Sequence, residues 1–193
     1  QGMRYLLLLY LASRSLTYAG AFLLGSALGA VLGGMVDFGI NQYWLRLTDP
    51  DLRLNQRTFS RVLRGKVLAC LGGLLCIGGG IVLGAWSPSL PMAMVVGIGL
   101  TATQVLAETC EAAGLSLHRY QMVALFRVLM SVGMYGVPLV LAWTLQQDAN
   151  HAGLDLALLA GLMIGVLLCG LYALKMMALL PGGTYGDRGY RRA

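Results

Sequence analysis

Charge is scarce in this chain: Asp, Glu, Lys and Arg together make up 11% of it, against 58% hydrophobic residues. Soluble domains carry about 25% charged residues, so a water-exposed globule is excluded and an integral membrane protein is expected. Histidine occurs twice, as His118 and His151 in separate loops, which gives no metal-ligand cluster. The four cysteines, Cys70, Cys76, Cys110 and Cys169, all fall inside apolar runs without C-x-x-C spacing. Free buried thiols are therefore expected, with neither disulfide nor metal. The chain also lacks a Ser-His-Asp set, a phosphate-cradling glycine loop and carboxylates paired for acid–base work, so nothing points to an enzyme or a cofactor. The net charge of +6 does not lead to nucleic acid, because the cations flank apolar runs and aromatic residues are not interleaved with them. Met3 to Ala12 is apolar, but no cleavage site follows it.

What is present is organised around one long polar stretch, from Asp37 to Lys66. It carries Arg46, Arg53, Arg57, Arg61, Arg64 and Lys66 against Asp49 and Asp51. Short loops rich in Lys and Arg stay on the cytoplasmic side, which fixes this loop inside and the others by alternation. Thr48 or Asp49 can cap a helix that begins with Pro50 and Asp51. On such a helix Arg53, Arg57, Arg61 and Arg64 share one face, opposite Leu52, Phe59, Val62 and Leu63. This pattern suits a helix in the headgroup layer or leading into the next span, with the arginines on anionic lipid. A basic vestibule that gathers an anionic headgroup is the sharper alternative.

Six spans are expected. Met3 to Leu11 is about half a span, read as clipped, since the chain opens at Gln1. Leu16 to Val36 is a full uncharged span with Gly25, Gly29 and Gly33 in a row that allows close helix approach. Val67 to Trp86, a span that starts at Pro91 and meets its first charge at Glu108, Tyr120 to Leu145 and Leu156 to Leu174 complete the set, with a kink expected at Pro138. Of the 14 Lys and Arg, only Arg14 then falls outside. Both termini are placed in the cytoplasm. Residues 1–180 form the membrane lobe, and residues 181–193, with Arg188, Arg191 and Arg192, form a basic tail or linker.

Ionised groups at membrane depth usually face a polar cavity or each other. Asp37, Glu108, Glu111 and Arg127 qualify, all near the inner ends of spans. Glu108 and Glu111 lie one helical turn apart on one face. Either these residues lock the bundle as an ion-pair network, or they bind a substrate or a coupling ion. Arg4 belongs to the same class or is a simple inside anchor.

Three passages resemble bacterial polysaccharide flippases. YLASRSLTYAGAF, from Tyr10 to Phe22, resembles the passage that ends their first span, with Thr17 where they carry glycine. DFGIN, from Asp37 to Asn41, resembles their D-x-G before a basic inside loop. Glu111 to Tyr120, with Arg127 beyond, resembles their connection between spans four and five. The likeness extends to about Leu180. It implies one six-span lobe of a two-lobed transporter in the multidrug, oligosaccharidyl-lipid and polysaccharide exporter superfamily, with a C-terminal lobe as partner. The implied substrate is a polyprenyl-diphosphate-linked oligosaccharide, flipped across a bacterial inner membrane. Arg127, Arg14 and Arg4 would contact diphosphate, while Asp37, Glu108 and Glu111 would balance charge or hold a coupling ion. An exporter of small cations, or a six-span scaffold subunit that assembles through its glycine faces, are the alternatives.

Overall fold

The computed structural model describes residues 2–37, 39–42, 56–82, 91–144 and 152–180. Among them there is no strand. The helices are α1 (Gly2–Arg14), α2 (Leu16–Asp37), α3 (Gln56–Val82), α4 (Pro91–Ser116), α5 (Tyr120–Ser131), α6 (Val137–Thr144) and α7 (Ala152–Leu179). A π-helical turn, Val132–Gly136, joins α5 to α6 into one rod. Four helices are long and apolar enough to cross a bilayer: Leu16–Asp37, Met92–Ser116, Tyr120–Thr144 and Gly153–Leu179. At about 1.5 Å per residue each covers a hydrocarbon layer about 30 Å thick. The described residues form an all-helical bundle whose four long apolar helices suit a membrane.

Six spans are not established by these helices. The first has 13 residues, and α3, at 27 residues, opens on turns that carry Arg57, Arg61 and Arg64. The capping residues Thr48 to Asp51, together with Arg46, Arg53, the polar connection before α7 and the tail 181–193, lie outside the described residues.

Helix α4 is the axis of the bundle: 67% of its apolar window is buried, against 39% in the other three spans. The glycine row of α2 lies on it. A Cβ at Gly25 would run into the Met94 carbonyl, one at Gly29 would stand 2.8 Å from Thr101 Cβ, and one at Gly33 would strike Val105. From the α4 side, a Cβ at Gly97 would stand 2.6 Å from the Phe22 carbonyl oxygen. The two backbones therefore touch, which is how apolar helices gain dispersion energy in a solvent as apolar as themselves. Gly25→Ala should lower stability in detergent by about 1–3 kcal/mol through overpacking. Gly20→Ala, whose methyl meets open space, should do no harm; thermal unfolding of both variants checks the contrast.

The expected kink at Pro138 takes the form of the π turn. Proline has no N–H for the carbonyl four residues back, and its ring crowds that carbonyl. The helix widens just before it, and the Val137 N–H bonds to the Val132 carbonyl, five residues back. Gly161 of α7 makes room for the displaced turn: a Cβ there would strike the Pro138 ring and stand 2.7 Å from the Met134 oxygen.

The α4–α5 connection closes with His118 in the left-handed region, φ 57°. The Arg119 N–H bonds to the Gly114 carbonyl and the His118 N–H to the Leu115 carbonyl, both at 3.0 Å. This double closure satisfies the last carbonyls of α4 and reverses the chain, so α5 runs back along α4.

Two apolar clusters fill the bundle. One gathers Phe59, Cys110, Ala113, Tyr172, Met176 and neighbours; the other gathers Leu7, Leu11, Phe22, Val96, Leu100 and Leu158 with theirs. Of the cysteines, Cys110 and Cys169 are buried, Cys70 is half-buried and Cys76 is exposed, so the expectation of four buried thiols holds only in part. Tyr172 stacks on Phe126 with ring centres 4.3 Å apart, yet its buried hydroxyl has no hydrogen-bond partner among the described residues. A buried unsatisfied group costs about 1–3 kcal/mol. Tyr172→Phe keeps the stack and should raise stability by about 1 kcal/mol, read from the unfolding midpoint in detergent. At the far end of the bundle, the Tyr10 hydroxyl donates to the Ala142 carbonyl at 2.9 Å, and the Tyr18 hydroxyl donates to Asp155 in the first turn of α7.

Candidate functional site

Among the described residues, two polar assemblies of three or more side chains lie in this apolar bundle. The first is built on Lys66. At 100° per residue, Lys66 lies about 20° from Phe59 on α3 and opposite Arg57, Arg61 and Arg64. Packing the apolar face of α3 therefore carries Lys66 inward, where it is 2% exposed. Its ammonium donates to Asp37 at 2.5 Å, Asn41 at 3.0 Å and Thr109 at 2.9 Å. All three donors of the lysine are satisfied. The contact ties α2, α3 and α4 together at one point.

The second assembly is a cleft of about 340 Å³ between α1, α4 and α5 with its π turn. Arg4, Gln104, Glu108, Glu111, Arg127, Ser131 and Tyr135 give it its polar lining. Arg127 is paired with Glu111 side-on: Nε donates to Oε1 at 3.3 Å and Nη2 to Oε2 at 2.5 Å. The Glu111 side chain of this pair is 11% exposed and the Arg127 side chain 70% exposed, and both line the cleft. Glu108 is exposed and accepts from Gln104 Nε2 at 3.2 Å, and the Gln104 oxygen accepts from the Tyr135 hydroxyl at 3.4 Å. The π turn carries Met134 and Tyr135 into the wall, where a π turn often marks function.

The structure thus divides the residues singled out from the sequence. Arg4, Glu108, Glu111 and Arg127 share the cleft. Asp37, grouped with the two glutamates, belongs instead to the lysine assembly. Arg14, grouped with Arg4 and Arg127, is exposed at the other end of α1, its guanidinium 5.5 Å over the Tyr10 ring, and does not line the cleft. Ten residues, or about 15 Å of helix, separate it from Arg4. Arg57, Arg61 and Arg64 are exposed on the outer face of α3. Lys66, Asn41, Thr109, Gln104 and Tyr135 were not singled out. For Lys66 the signal was its phase on the apolar face of α3. Thr109 carries no comparable sign, since a threonine in a span usually bonds its own helix, as Thr109 also does to Val105.

No family model, curated protein or solved structure matches this chain.

Proposed function

We propose that the chain is one lobe of a flippase that moves a polyprenyl-diphosphate-linked oligosaccharide across the bacterial inner membrane. The observation that carries this reading is the cleft itself: two arginines from helices far apart in sequence, Arg4 and Arg127, line one polar cavity in a largely apolar bundle. Charge at that depth is costly unless a cavity or partner receives it. Arginine presents a planar fork to phosphate oxygens, while the lipid tail can stay in the bilayer. In this reading α1 and the apolar part of α3 are the remaining two of six spans. The arginine row Arg57, Arg61 and Arg64 faces anionic headgroups on the cytoplasmic side, and a second lobe rocks against this one.

The carboxylates Glu108 and Glu111 in the same cleft favour a second reading, export of a small organic cation. Proteoliposomes separate the two. The flippase reading expects the intact protein to move a fluorescent polyprenyl-diphosphate oligosaccharide to the other leaflet and to ignore cationic dyes. Dye accumulation without lipid movement would establish the cation exporter instead.

A further inference from the structure

We infer that the cleft takes two parts of one ligand: a phosphate corner at Arg4 and Arg127, and a hydroxyl-reading corner at the hydrogen-bonded set Gln104, Glu108 and Tyr135. This rests on the flippase reading and adds a sugar-recognition site to it. The second corner is a directed chain. Tyr135 gives its proton to the Gln104 oxygen, and Gln104 gives an N–H to Glu108 Oε1. Two of its three N–H and O–H donors are thereby used inside the chain, and one Gln104 N–H remains. The acceptors remain in excess: Glu108 Oε2, a second lone pair on Oε1, and the Tyr135 oxygen. This corner therefore asks for a ligand rich in donors.

A second, diesterified phosphate does not suit this corner, because it has no proton to give and its negative charge would meet the exposed Glu108 carboxylate. An ammonium would satisfy Glu108, but Arg4 and Arg127 share the cavity. A group that is neutral, rich in hydroxyls and attached to a phosphate meets both corners. That is a glycosyl phosphate, with the first sugar on the Gln104–Glu108–Tyr135 side. Carboxylate–hydroxyl bonds are charge-assisted and geometrically selective.

The test is calorimetric binding to the intact protein in nanodiscs, with inorganic phosphate, glucose 1-phosphate and citronellyl-phosphoglucose as probes. Glucose 1-phosphate should bind about tenfold tighter than inorganic phosphate, which corresponds to about 1.4 kcal/mol. Glu108→Gln, at an exposed position, and Tyr135→Phe should bring that ratio toward one. Glu108→Gln should leave phosphate affinity equal or higher, since a carboxylate has left the cleft. A wild-type ratio near one, or a ratio unmoved by both variants, overturns the sugar corner while leaving the phosphate corner standing. Absence of phosphate binding overturns both corners and the flippase reading with them. Equal affinity for the lipid-free and citronellyl probes keeps the sugar corner and overturns the lipid-linked substrate. Tight tetraphenylphosphonium binding that Glu108→Gln abolishes overturns the assignment in favour of a cation site.

Discussion

Lys66→Met should lower the stability of the bundle by about 3 kcal/mol or more, the range for removing one partner of a buried ion pair. The ammonium is 2% exposed and holds three partners, so its loss leaves Asp37, Asn41 and Thr109 without their common donor. The cost falls at the low end of that range because the Asp37 side chain, 26% exposed, retains some access to water. Asp37→Asn added to Lys66→Met removes the stranded charge and should restore part of the loss. Unfolding in detergent, followed by size-exclusion of the heated sample, measures both. Equal midpoints for Lys66→Met and wild type would remove the lysine assembly from any structural role.

Arg127→Gln should lose transport. The Arg127 side chain is 70% exposed but Glu111 only 11%, so the variant also strands a largely buried carboxylate and loses some stability, which comparison at matched protein levels separates from the transport defect. Hydrogen bonds from a charged donor to a phosphate contribute about 1.5–3 kcal/mol each, so the flipping rate at low substrate should fall by about tenfold to a hundredfold. Arg127→Lys should fall between, because it keeps the charge and loses the fork. The readout is leaflet transfer of lipid-linked oligosaccharide in proteoliposomes at matched protein levels. Wild-type transfer by Arg127→Gln would remove the phosphate corner.

These two residues also mark how far the sequence could be read. Arg127 stood out because a charge seven residues into an apolar helix needs an explanation, and the glutamates one turn apart on the preceding helix supplied a candidate. Which glutamate it meets depends on how tightly the chain reverses at His118, and that reversal rests on a histidine in the left-handed region, where glycine is usual. Lys66 was hidden by its neighbours: among five arginines it passes for one more loop cation. Its position on the apolar face of α3 carried the contrary signal. Arg14 was grouped with Arg4 by charge, although spacing along one helix already puts them at opposite ends. Pro138 announced a break, but whether the helix bends, narrows or widens there depends on Gly161 across the interface, which no local pattern reveals. Four of the six expected spans were legible because a run of 20 or so largely uncharged residues has few other uses.

The contact between α2 and α4 has a consequence for motion. Two helices whose main chains meet at Gly25, Gly29 and Gly97, with Gly33 against the Val105 side chain, cannot slide or rotate against each other without collision, so they behave as one beam. Any opening or narrowing of the cleft must then be carried by its other walls. Of these, α1 is short, and the α5–α6 rod already holds a softened joint at its midpoint. The α4 wall presents Gln104, Glu108 and Glu111, Arg127 is already tied to that wall through Glu111, and Arg4 stands across from it on the short α1.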